Sequence, residues 1–372
     1  MNKILYLAIL IFTLFSCTND SDVKDNVADN EFKEQKHILK TNVIDAEYSK
    51  KKNVLVYISS NPSEINIFDS NSATIESIPL AYEPTCISIS QDGETAVVGH
   101  DGHITYMNLS TKSIINTYNV SCTVLDIVLG NNKWAYVFPK EGQWTYIRSV
   151  DLNLSSDNES PRSIYNQISA GTKGRLHPSG KYIYTQSPTS RAIIEKFNIQ
   201  NGNINDTYQS RYDEDDYARS PNVWFSEDGI RIFSNTKTVL KTSEIQSLDM
   251  VYNGKINPEK GSYIQWLDYS SKKNNLYLIF SDGNFWSQIK SPYIYTYNAS
   301  NLTFINKLEL EKYHIASDKE GGTFYDAEPF FVFSNSNGTG LVVITKAIEP
   351  NLSNEWGAQK VNKWGIQKIA IN

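Results

Sequence analysis

Apolar and polar residues alternate along most of this chain with the period of a β-strand, and no segment has the apolar spacing of a long amphipathic helix. Residues 86–120, CISISQDGETAVVGHDGHITYMNLSTKSIINTYNV, are the clearest instance. Cys86-Ile-Ser-Ile-Ser90 alternates, and Gln91-Asp92-Gly93 supplies turn chemistry, Gly93 being free to take positive φ. Thr95-Ala-Val-Val98 is the return strand, with a third expected over 103–109 and a fourth over 113–118. The turn recurs as Ser49-Lys-Lys-Lys-Asn53, Gly130-Asn-Asn-Lys133, His177-Pro-Ser-Gly180, Ser226-Glu-Asp-Gly229, Ser270-Ser-Lys-Lys-Asn-Asn275 and Ser334-Asn-Ser-Asn-Gly338, each followed by an apolar strand. The third strand carries its own mark, an apolar run closed by a short acceptor: Asp69, Asn108, Asp151, Asn198 and Asn298. A side-chain oxygen there can take backbone N–H groups two residues on and start the next hairpin, so these five read as turn-formers, not ligand carboxylates.

Four-stranded units recurring every 40–50 residues or so, with a longer last interval, predict an all-β, seven-bladed β-propeller. Residues 37–372 make up that domain. Its last unit has strands over 330–333, 341–344 and 364–371 and is one strand short, while 37–43 is one strand over. The N-terminal strand is therefore expected to complete the last blade, which removes open edges from the ring. The S-x-D-G and H-P-S-G turns, the Tyr57-Ile-Ser-Ser60 strand end and the strand-closing Phe68-Asp69 and Phe197-Asn198 resemble the YVTN-type, WD40-like seven-bladed propellers. That group is similar to lactonase-type and quinoprotein-dehydrogenase-like propellers, and the resemblance implies fold first.

Residues 1–16 change the picture from fold to address. Lys3 gives a positive start, and the apolar run 4–15 is too short to span a bilayer. Leu14-Phe15-Ser16-Cys17 resembles a bacterial lipobox, which implies cleavage before Cys17 and acylation of that residue. An ordinary secretory leader is the alternative, for which Leu14 is poorly suited. Residues 18–36 are polar and acidic, too poor in apolar residues to fold, and read as a flexible tether from the lipidated cysteine. Acidic residues just after such a cysteine resemble Bacteroidetes-type surface lipoproteins, which implies an outer-membrane anchor with its inward or outward orientation open. Cys86 and Cys122 fall near inner strands but are staggered by about 13 Å along them, beyond disulfide reach, so both are expected as buried thiols.

A net charge of −6 argues against a nucleic-acid surface, which needs clustered Lys and Arg. Loop length is concentrated on one face, in 155–172, 208–222, 253–263, 281–292, 309–329 and 347–363. In one of these, Tyr212, Asp213, Asp215, Asp216, Tyr217 and Arg219 crowd together, either as a patch for a cation or partner or as a solvated acidic loop. Phe285, Trp286 and Trp356 bring aromatics to the same end, to stack on sugar or peptide or to bury against a neighbouring loop. Catalytic signatures such as G-x-S-x-G, H-E-x-x-H and C-x-x-C are absent from the sequence, and no catalytic residue is assigned. No cofactor is expected. His100 and His103, across an Asp-Gly turn, are weak metal candidates. The expected function is a membrane-anchored, non-catalytic binding module for a protein, peptide or glycan. The alternative is a lactonase-like hydrolase or quinoprotein-like dehydrogenase working at the mouth of the ring.

Overall fold

Every recurring turn joins two antiparallel strands. A computed structural model describes residues 32–140, 142, 144–188, 193–211, 222–258, 263–281, 290–315, 322–348 and 362–371. After β1 (Gln35–Ile38) come β2 (Asp45–Ser49), β3 (Val54–Ser59), β4 (Glu64–Asp69) and β5 (Ile75–Pro79), one four-stranded meander. Then follow β6 (Cys86–Ile89), β7 (Thr95–Gly99), β8 (Asp101–Asn108), β9 (Ser113–Leu129), β10 (Trp134–Pro139), β11 (Trp144–Tyr146), β12 (Arg148–Asp151) and β13 (Gln167–Ser169). Two more meanders are β14 (Lys173–Leu176) to β17 (Thr207–Gln209), through β15 (Tyr182–Gln186) and β16 (Ile194–Asn198), and β18 (Val223–Phe225) to β21 (Val251–Lys255), through β19 (Arg231–Ser234) and β20 (Thr238–Lys241). Another holds β22 (Ile264–Ser270), β23 (Asn275–Phe280), β24 (Tyr293–Asn298) and β25 (Phe304–Glu309). The chain ends with β26 (Tyr313–Ile315), β27 (Thr323–Ser334), β28 (Gly340–Ile348) and β29 (Trp364–Ala370).

This is a β-propeller. Sheets of four or more strands number six among the described residues, where seven four-stranded ones are expected from the repeat. The difference lies in β9. Its first part pairs with β8 and its second part, from Val124, pairs with β10, so β6–β10 and β12 form a single six-stranded sheet. The fourth strand, expected over 113–118, instead runs on as continuous extended chain to Leu129. β1 pairs antiparallel with β29, His37 opposite Ile366. That strand is shorter than the expected 37–43 and begins earlier, because the chain must leave the sheet to start β2; Asn42 braces the crossing by accepting the Ser60 N–H at 3.1 Å. The packed body begins before His37, since Phe32 is buried.

All five strand-closing acceptors work as turn-formers. Asp69 accepts N–H from Asn71 and Ser72, Asn108 from Thr111, Asp151 from Asn153, Asn198 from Gln200, and Asn298 from Ser300 and Asn301. The hydrophobic core is layered between neighbouring sheets. Val56 and Ile58 meet Ile87 and Val98 in one layer; Tyr136 and Phe138 meet Ile183 and Phe197 in another. Cys86 and Cys122 are buried thiols outside any disulfide.

The innermost strands do not pair with one another among the described residues, and side chains bridge them instead. Asp45 and Glu47 on β2 accept the N–H groups of Ile87 and Ile89 on β6 at 3.0 and 2.8 Å. Ser88 on β6 accepts Leu129 N–H on β9 at 3.0 Å, Asp126 on β9 accepts Gly174 N–H on β14 at 2.8 Å, and Asp268 on β22 accepts Ser334 N–H on β27 at 2.9 Å. Gly174 is required there, since a Cβ would lie 2.3 Å from Phe138. Removing one acceptor leaves a buried donor unpaired, at about 1–3 kcal/mol. Asp126→Ala is therefore expected to lower stability by roughly that amount in denaturant melts while Asp126→Asn, which keeps an acceptor, retains most of it; equal losses would reject the bridging role.

Candidate functional site

Because the inner strands stand side by side without pairing, they enclose a central cavity of about 660 Å³. Its wall is built in turn by β2, β6, the second part of β9, β14, β18, β22 and β27. One side of the wall is charged. Asp45, Glu47 and Asp126 face Lys173 and Arg175, the last two sharing one face of β14 because strand side chains alternate. The other side is aromatic: Trp266 meets Phe331 edge-to-face at 4.7 Å and Trp224 at 6.1 Å.

Arg175 crosses the lumen. Its Nη1 lies 3.1 Å from Glu47 Oε1, and its guanidinium sits 5.5 Å above the Trp266 ring. Glu47 is thereby engaged at both oxygens, by Arg175 and by Ile89 N–H. Burial pushes the Glu47 carboxyl up to about 7, with Arg175 pulling against it. Burial also raises Asp45 and Asp126, opposed by Lys173 in each case. The Lys173 ammonium, by contrast, makes no hydrogen bond among the described residues. The turn end of the lumen is tied by Lys50, which pairs with Glu227 at 2.7 Å and Asp268 at 3.3 Å.

A second polar cluster lies between sheets rather than in the lumen. Lys196 and Asp249 form a buried pair at 3.0 Å, with Tyr184 and Tyr208 donating to Asp249 and the Tyr182 ring 3.9 Å below the Lys196 ammonium. Its polar atoms satisfy one another, as a buried ion pair requires. It locks two sheets together and leaves nothing directed at a ligand.

Of the residues singled out from the sequence, Tyr212, Asp213, Asp215, Asp216, Tyr217, Arg219, Phe285, Trp286 and Trp356 lie outside the described residues, as does Cys17. His100 is fully buried, with Nδ1 3.1 Å from Glu83 O and Nε2 2.9 Å from Thr105 Oγ1. His103 stacks on Tyr82 at 4.3 Å with Nδ1 3.0 Å from Asp101 O. The His100–His103 metal reading is corrected accordingly: both nitrogens of His100 are spent on the protein, and no group of three or more potential metal ligands occurs among the described residues. Trp364 opens β29 and is buried, as its place before an apolar run predicts. The loop 155–172 is not structureless. Asp157 and Glu159 accept the Asn119 and Ser121 N–H groups of β9, and β13 lies within it. Likewise 309–329 holds β26 and the start of β27.

The lumen charges escaped sequence reading, yet a signal for them existed. Asp45 and Glu47 stand four and two residues before the turn at Ser49, Lys173 and Arg175 four and two before His177, and Asp126 four before Gly130. Polar residues at matched offsets on otherwise apolar inner strands mark the lumen-facing side.

No protein-family model matches the chain, and no curated protein does. Solved structures do. A β-propeller domain of Cps50 (Swd1) from Myceliophteria thermophila superposes with a TM-score of 0.62 at 9% identity, over 90% of this chain and 99% of that one. Hydrazine synthase from Kuenenia stuttgartiensis gives 0.56 at 11% identity, over 82% and 93%. At such identities the likeness is one of fold, and it agrees with the ring of sheets described above.

Proposed function

We propose that this chain is a non-catalytic binding module, a seven-bladed propeller held at a membrane by an acylated Cys17 once residues 1–16 are removed. Seven successive strand segments contribute to the wall of the central cavity, which supports counting the six-stranded sheet as two blades fused through β9. The β1–β29 pairing supports closure of the ring by the N-terminal strand. Residues 17–36 act as the tether in this reading, and the anchor lies in the outer membrane, as in Bacteroidetes-type lipoproteins.

One observation carries the binding reading. The lumen carboxylates are committed to backbone N–H groups of the next strand, whereas the Lys173 ammonium, though it lies in the field of Asp45 and Asp126, makes no hydrogen bond and Arg175 makes a single one among the described residues. Spare donors above a satisfied acceptor ring fit the carbonyl or carboxylate oxygens of a protein or peptide partner. The hydrolase or dehydrogenase alternative draws on Glu47, whose carboxyl near 7 suits general acid–base work. Its two oxygens are already engaged, which favours binding over catalysis.

Three outcomes follow. In pull-downs from membranes with lipidation intact, Lys173→Ala should weaken capture of a co-purifying partner at least about tenfold without changing the circular dichroism spectrum; undiminished capture would reject the cavity mouth. Cys17→Ala should move the protein from the membrane to the soluble fraction, because acyl chains supply about 0.8 kcal/mol per buried methylene. Glu47 has a folded pKa raised above its unfolded value, so its stabilising share is complete below the unfolded pKa and is lost as pH rises through about 7. Thermal melts at pH 5 and pH 8 should show Glu47→Gln flattening that loss, by on the order of 2 kcal/mol.

A further inference from the structure

A second cavity, of about 520 Å³, lies away from the lumen between the β11–β13 pair and the edge strand β17. Its most unusual residue is Trp144, which is 65% exposed. Large aromatics are seldom left this wet, because each exposes apolar surface that burial would remove from water. Beside it Ile164 is also exposed. Trp144 is not on a loose loop: it pairs with Ser169 in the β11–β13 ladder, which fixes its backbone.

The opposite wall is polar and equally fixed. Gln209 on β17 stands opposite Glu195 on β16 and donates to its Oε1 at 2.9 Å, and the Thr185 hydroxyl also interacts with that carboxylate, whose remaining lone pairs can accept from a ligand. Thr207 and Gln167 add a hydroxyl and a second amide to the lining. Tyr208, also in the wall, has its hydroxyl committed to Asp249 at 2.8 Å. Glu195 is the one charged residue lining this cavity among the described residues.

We propose that this groove is a binding subsite for a neutral glycan, with a pyranose ring laid on Trp144 and its hydroxyls bonded to Glu195, Gln209, Gln167 and Thr207. A pyranose has one face of C–H groups and a rim of hydroxyls that both donate and accept, which matches a flat aromatic opposed by amides and one carboxylate. An acidic sugar would bring its charge against Glu195. A purely apolar peptide segment would bury the two amides without partners. The volume falls within the range of about 300–1,000 Å³ usual for small-ligand sites. The inference goes beyond the partner reading of the lumen and does not depend on it, since neither Lys173 nor Arg175 lines this groove.

The test titrates the full-length chain in detergent with the neutral pentasaccharides of cellulose, mannan, xylan, starch and chitin, by tryptophan fluorescence and calorimetry. At least one should bind and quench or shift the emission. Trp144→Ala should weaken that binding about tenfold or more, and Glu195→Gln several-fold. Phe324→Ala, at an exposed aromatic far along the chain, should leave it unchanged. Silence across the panel, binding confined to acidic oligosaccharides or to peptides, or full affinity in Trp144→Ala would each overturn the inference.

Discussion

The inner strands of this ring stand beside one another but too far apart to share a hydrogen-bond ladder, and the whole molecule is arranged around that constraint. A strand at the edge of a sheet has N–H groups directed away from its own partner, and inside a ring those groups have no access to another backbone. The protein meets the need with short side-chain acceptors reaching sideways: Asp45 and Glu47 to β6, Ser88 to β9, Asp126 to β14, Asp268 to β27. Where these bridges occur, neighbouring inner strands are joined at the axis by polar contacts, and farther out the sheets meet through layers of aliphatic and aromatic side chains. The bridges are directional and the layers are not, so the bridges fix how each sheet is placed relative to its neighbour.

The same solution shapes the lumen's chemistry. Carboxylates recruited to bind backbone N–H groups sit in a partly dry channel, where burial favours their protonated forms. Lys173 and Arg175 on β14 offset that penalty from the facing side. A strongly perturbed carboxyl in a cleft is a common mark of an active site, but structural networks perturb pKa values too. Here the backbone partners of Asp45, Glu47 and Asp126 account for their presence.

Much of the architecture was legible because a turn is a local event. Gly93, Gly180, Gly229 and Gly338 all take positive φ at the repeated turns, a requirement visible in one residue type at one spacing. The acceptors closing the third strands were legible for the same reason: Asn298 and its two N–H partners are near neighbours in the chain. The path of β9 was not, because Asn119-Val-Ser121 resembles a turn in composition but is held extended by Asp157 and Glu159 from a segment far along the chain. Nor was the Arg175–Glu47 pair, whose members are separated by 128 residues and meet only because the ring brings β14 and β2 around one axis. The role of His100 was not legible either: its spacing to His103 was only a weak ligand signal, and burial against Thr105 and Glu83 decided where its ring nitrogens go.

The unbroken run of β9 pairs with β8 along its first part and with β10 along its second, so one strand carries both halves of the six-stranded sheet. Where the other sheets end, this one is continued by a single backbone. A breach that peels β8 from the first part of β9 pulls on the second part in the lumen wall, so both halves should open together as one exchange unit rather than in sequence. The ring is then least divisible where β9 passes through it, and its weaker joints lie where the sheets are separate meanders.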